Sequence, residues 1–367
     1  NITFHCSAAF PAFPKQPPDK LPDPPTTTVA SKMVSISAAC TTNGLIAATL
    51  GGAGIGLTAV ARAASTGELL PSSSFHKYGT PSMILTAAAL ARAYGSPVGR
   101  FFELQTSASI LRLAVGGALV GAGSSFGKGC TSGNGIQGLA AMSPASFVFV
   151  LTFMACGAAA AALLGSSDAV LGAAAAAATL PVDSGSDSVA YELFALAVTL
   201  AGGQYAAGKA GSKAGAAILG GAAFSTSLVL SSMPKPSRVL GFLDFTSERG
   251  WDPTLMFVMG GALLVAFPLY QALGLAVPTP KKSGAISKWA SRPVDARTVL
   301  GGVLFGAGWG CAGMCPGPGM VTCGAAIASQ SNPVAGLLAA GGVWTAAMFG
   351  TKSLVDLAQP KSPSRKE

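Results

Sequence analysis

Residues 116–123 read GGALVGAG and residues 301–308 read GGVLFGAG, identical at 6 of 8 positions. Carried forward without a gap, each segment reaches a cysteine 14 residues past its first glycine, Cys130 in one and Cys315 in the other. The offset of 185 residues is about half of the 367-residue chain. The repetition predicts two related halves, each with a glycine-rich interruption at the same place. Folds built this way put a substrate path where the halves meet.

The surroundings of both segments are apolar. Hydrophobic residues make up 50% of the chain and charged residues 10%, with a mean hydropathy of +0.54; ordinary soluble domains carry about 25% charged residues. Several uncharged runs reach about 18 residues or more, enough to cross a bilayer as helices. Exposed to water, such runs would aggregate. The expected fold class is therefore all-α, a polytopic membrane protein of two pseudo-symmetric halves whose helices are broken or re-entrant at the Gly/Cys motifs. The 48 glycines suit helix backbones in close approach. The net charge of +9 lies mostly in loops and tails, as the positive-inside rule leads one to expect. No basic patch interleaves with aromatics, which argues against nucleic acid as a partner.

Breakers between apolar runs predict helices at about 43–61, 80–95, 107–124, 145–165, 168–181, 189–207, 212–231, 254–277, 297–312 and 331–350, of which eight to ten insert in the membrane. Residues 1–42 read as a disordered tail, with seven prolines before Met33. The membrane domain runs over 43–350, its halves at about 43–181 and 189–350, and a basic tail follows over 351–367. The loop 278–297 carries Lys281, Lys282, Lys288, Arg292 and Arg297 against Asp295, and the last residues carry Lys361, Arg365 and Lys366. Two crossings between them place both on one side, assigned to the cytosol, with the plasma membrane favoured. The loop 232–253 is balanced in charge and falls on the opposite side.

Neither motif can be an unbroken helix. The first reads Gly127-Lys128-Gly129-Cys130-Thr131-Ser132-Gly133, the second Cys311-Ala-Gly-Met-Cys315-Pro316-Gly317-Pro-Gly319. Glycine costs roughly 1 kcal/mol and proline about 3 inside a helix. Unwound backbone at membrane depth persists only inside protein or along a cavity. Pro316 favours a helix restart with Cys315 at its positive end; Thr131 and Ser132 are candidate caps for a restart after Cys130. Such ends attract anions, and Lys128 adds a positive charge, although snorkelling to an interface explains it equally well.

The remaining cysteines have blander readings. Cys156, Cys40 and Cys323 suit small buried hydrophobes; Cys311 lies about one turn before Cys315. Cys311 and Cys315 supply at most half a metal site, and neither histidine, His5 nor His76, is close in sequence, so no metal or other cofactor is expected.

At these motifs the chain resembles the YeeE/YedE family of sulphur transporters, carried by Gly129-Cys130-Thr131-Ser132-Gly133 and Cys315-Pro316-Gly317, over about 43–350. The resemblance implies a many-helix fold pinched inward from both faces, with the motif loops meeting at the constriction. It implies thiosulfate uptake along motif cysteines, and a further thiol near the N-terminus for which Cys40 is the nearest by position, with Cys311 as a substitute.

The chain then reads as a permease, not an enzyme, importing thiosulfate or a related sulfur anion past Cys130 and Cys315. The thiols are read as protonated, since a thiolate repels the anion. No GxxxxGK[ST] motif is present, so energy comes from a gradient or a separate subunit. A soluble sulfurtransferase is a candidate recipient of the cargo. The alternatives are a membrane protein that handles sulfane sulfur by a transient cysteine persulfide, and a metal-handling or structural membrane protein.

Overall fold

The computed structural model describes residues 41–68, 74–94, 110–164, 187–246, 250–276, 289–328 and 341–359. Residues 1–40 of the expected tail with Cys6 and Cys40, the helix at 168–181, residues 331–340 of the last expected helix, Lys281, Lys282 and Lys288 of the basic loop, and Lys361, Arg365 and Lys366 lie outside the described residues.

The first half holds α1 (Thr42–Thr66), a π-helical turn (Phe75–Gly79) that runs into α2 (Thr80–Tyr94), α3 (Ile110–Phe126), a second π-helical segment (Thr131–Gly138) and α4 (Pro144–Leu163). There follow α5 (Asp187–Lys209), α6 (Lys213–Leu230), the short α7 (Pro236–Leu243), α8 (Thr254–Ala272), α9 (Ala296–Ala312), α10 (Pro316–Ala328) and α11 (Val343–Ala358). The ends follow local chemistry. Thr41 caps α1 by accepting from the Gly44 N–H, and Asp295 caps α9 by accepting from the Thr298 N–H at 2.8 Å.

Five described helical runs are long and apolar enough to cross a bilayer: α1, α4, α6, α8 and the run Ala296–Ala328. A sixth arises if α3 and the π-helical segment after it, bent by 43°, form one span. The eight to ten inserted helices expected from sequence include stretches at 168–181 and 331–340 that lie outside the described residues; among the described helices, α2 has 15 residues and α11 has 16, under the ~20 that a bilayer core needs.

Glycines set the helix contacts. The two glycine-rich segments pack against each other: a Cβ on Gly301 would stand 2.5 Å from the Gly127 nitrogen, and one on Gly308 2.5 Å from the Gly116 oxygen. Residues 116 and 127 of α3 and its end thus face 308 and 301 of α9, so the two helices run antiparallel. Gly117 and Gly121 approach the carbonyls of Trp344 and Met348, so α3 and α11 run side by side in the same direction. Consequently the end of α3, the start of α9 and the end of α11 lie at one end of the bundle. Residues 289–295, which lead into α9, and the C-terminal end of α11 therefore share one end of the bundle. At the other end, residues 232–246 are no simple loop. Val239, Leu240 and Leu243 of α7 are buried, and Asp252 is paired with Arg238 at 2.7 Å.

Candidate functional site

Both motifs interrupt their helices where expected. α3 ends at Phe126, and Lys128 then takes a left-handed conformation (φ 53°), unusual for a residue with a side chain. Gly129 follows at φ 156°. The chain restarts at Thr131, with the Asn134 N–H donating to the Cys130 carbonyl at 2.8 Å. In the second motif α9 stops at Gly313 (φ 67°), and α10 begins at Pro316, directly after Cys315. The first break bends the chain by 43°.

Thr131 and Ser132 do not cap the restart, contrary to expectation; that segment has no side-chain cap. Their hydroxyls go to the thiols instead. Thr131 Oγ1 donates to Cys315 Sγ at 3.5 Å, linking the two motifs, and Ser132 Oγ and Cys130 Sγ stand 3.2 Å apart in hydrogen bond. Both cysteines are buried, reduced and unpaired.

Two cavities meet here. One, of about 350 Å³, is polar at its rim: His76, Lys128, Lys352 and Asp356 line it, with Cys130 and Pro316 deeper in. The other, of about 260 Å³, is lined by apolar and sulfur-bearing side chains, among them Phe153, Met154, Met233 and Met259, together with Cys315. Cys130, Ser132, Phe224 and Gly317 line both. A Cβ on Gly317 would stand 3.0 Å from Phe224 and 3.1 Å from Leu228, so those side chains would have to give way. Gly133 is buried within the π-helical segment.

Cys311 has a different setting. Its carbonyl accepts from Arg112 Nε at 2.8 Å, and its thiol donates to the Arg112 carbonyl at 3.9 Å. Cys323 is buried beside Thr345, and Cys156 is half-buried against Gly306.

Sequence reading missed the bracing of the first motif. Trp289 Nε1 donates to the Lys128 carbonyl at 3.1 Å, and Arg292, stacked on Trp289 with its guanidinium 4.3 Å from the ring centre, donates to Asn134 Oδ1 and at 3.5 Å to the Gly127 carbonyl. Ser146 donates to the same Asn134 oxygen at 2.9 Å. Burial lowers the Arg292 pKa to about 10, with Asp295 pulling the other way, so the group stays charged at neutral pH. Arg112 from the first half and Arg292 from the second each hold the other half's motif. Ser125, Lys352 and Asp356 carry no signal in the sequence, and His76 reads only as too far in sequence from the cysteines to join a metal site; the four come together on one cavity wall once α11 lies along α3.

A family described as "Sulphur transport" matches residues 20–160, and a family of unknown function (DUF6691) matches residues 214–357. A protein of Xylella fastidiosa (strain Temecula1 / ATCC 700964) named "Probable transporter" is 40% identical over 122 residues, which are 33% of this chain and 76% of that protein. Another "Probable transporter", from strain 9a5c, is 41% identical over 106 residues, 29% of this chain and 71% of its own length. No solved structure matches. Apolar helices long enough to cross a bilayer, with these relatives, define a multi-pass membrane transporter. The chain belongs to the YeeE/YedE sulphur-transport family, as its motif pair suggested, and its cargo is sulfur-related.

Proposed function

We propose that this protein carries thiosulfate, or a closely related sulfur anion, into the cell between the two cavities, passing Cys130 and Cys315. The observation that supports this best is that Cys130 lines both cavities while Thr131, next to it, donates to Cys315. Because the Thr131 hydroxyl is the donor, the Cys315 S–H hydrogen remains for an anion. A protonated thiol donates weakly, and to a soft sulfur acceptor more readily than a hydrated cation would. Weak sites in series favour both loading and release.

The charged rim supports an anionic cargo, with Lys128 and Lys352 on one cavity. The methionine-lined cavity suits the terminal sulfur of thiosulfate better than a fully oxygenated anion such as sulfate. The C-terminal end of the bundle is read as cytosolic and the membrane as the plasma membrane, on the charge of the loops. Cys311, held by Arg112, contributes through the shape of the second motif. A soluble sulfurtransferase waiting at the charged mouth fits this direction of transport.

The test is uptake of radiolabelled thiosulfate by liposomes that hold the purified protein, under several ion gradients, with unlabelled sulfate or thiosulfate as competitor. The reading expects excess unlabelled thiosulfate to suppress uptake strongly and an equal excess of sulfate to suppress it less. Equal suppression by both would remove the role given to the terminal sulfur.

A further inference from the structure

We propose that Ser125 and Lys352 form a second oxyanion site at the charged mouth, filled in the resting protein by the carboxylate of Asp356. Asp356 accepts from Lys352 Nζ at 2.6 Å and from Ser125 Oγ, and Gln359 Nε2 donates to the same Ser125 hydroxyl at 3.4 Å. The ammonium of Lys352 and the hydroxyl of Ser125, itself supported by the Gln359 amide, converge on one oxyanion position on the wall of a cavity that also holds Lys128 and His76. A carboxylate of the protein takes the place that a soluble anion would take.

The contact is built to yield. Asp356 is half-exposed, at 49%, and Lys352 is 27% exposed; ion pairs so placed contribute only about 0–1 kcal/mol. The pair also has the less favourable order for a helix, with the cation four residues before the anion. Among the described residues, the titratable groups facing the cavity, beside the Cys130 thiol, are Lys128, Lys352, Asp356 and His76. With His76 neutral, two cations face one carboxylate; once Asp356 swings out, two positive charges face the cavity, matching a dianion.

The ligand class is the tetrahedral oxyanion, which sulfate and thiosulfate share. The site's role as the mouth of a path rests on the function proposed above, and binding is measured apart from it. Asp356 then competes with cargo, so an anion held at the mouth is driven off when the carboxylate returns.

The experiment measures binding of radiolabelled sulfate to the full chain in detergent. Asp356→Asn should bind about tenfold tighter than the parent, Lys352→Gln about tenfold weaker, and Lys352→Arg close to the parent. In the Lys352→Gln background, Asp356→Asn should gain less than about twofold, because a general change of charge would add whereas a shared site does not. Unchanged or weaker binding in Asp356→Asn, or indifference to Lys352→Gln, would overturn the inference. If the parent takes up thiosulfate while sulfate binding ignores Asp356, the second site falls alone. If sulfate binding follows Asp356 and Lys352 but no thiosulfate enters, the transport reading falls and the site stands.

Discussion

Cys130 and Lys128 sit two residues apart on the same turn, and their roles separate by substitution. Lys128 holds a left-handed backbone that costs a side-chain-bearing residue about 1–2 kcal/mol. Lys128→Gly relieves that strain while removing the charge. We expect a melting temperature at or slightly above the parent's and a clear loss of uptake at low thiosulfate. An unchanged uptake curve would make Lys128 a mere anchor. His76 gives a pH signature. Burial first, then Lys352, push its pKa below the ordinary 6.5, with Asp356 pulling back. The folded state therefore favours the neutral ring, and stability falls as pH drops through 6.5 and below. Burial raises the Asp356 carboxyl, but hydrogen bonds from Lys352 and Ser125 and the nearby charges outweigh it, so it remains below 3.8 and ionised. Sulfate affinity should then stay flat from about pH 8 to 6.5 and rise only below that, as His76 gains charge. In His76→Gln the rise should vanish; a midpoint at or above 6.5 would contradict the burial argument.

The elements near the path are held by cross-bracing and by close helix contacts. Arg292 reaches from the loop before α9 to the first motif. Arg292→Gln should speed amide hydrogen exchange over residues 127–138 and lower uptake several-fold, with little change elsewhere; local unfolding confined to one segment is the expected pattern. Exchange that does not change would dismiss Arg292 as a positioning residue. Gly121→Ala tests the α3–α11 seam. Its Cβ would stand 2.2 Å from the Met348 oxygen, so a destabilisation of about 1–3 kcal/mol is expected in detergent melting. Much here was legible in sequence: glycine and proline chemistry located both breaks, and Pro316 marked the restart of α10. The fate of Thr131 and Ser132 was not. A hydroxyl after a break caps a helix or bonds a neighbour with equal propensity, and the thiol of Cys315 lies 184 residues away in sequence. Trp289 and Arg292 were equally hidden, read only as part of a basic loop.

At the scale of the whole molecule, two family matches divide the chain, one on residues 20–160 and one on 214–357. The 122 residues shared with the Temecula1 relative are 33% of this chain and 76% of that one, so the relative is less than half as long. The side of the membrane follows from charge alone and is open to test. Ser291→Cys and Gln359→Cys should both react with a membrane-impermeant maleimide in inside-out vesicles and neither in right-side-out vesicles. Labelling of the two from opposite sides would contradict the shared end that the α3, α9 and α11 contacts define. The charged mouth was illegible for a simple reason. His76, Ser125 and Asp356 are separated by 49 and 231 residues in sequence, and each has an ordinary local role.

The measurement that bears most directly on the path is thiosulfate uptake by liposomes holding the parent, Cys130→Ala or Cys315→Ala, each checked for an unchanged melting temperature. The account predicts uptake by the parent and a collapse of at least about tenfold in both variants. Uptake at the parental rate in both folded variants would show that cargo does not pass these thiols, and would contradict the account.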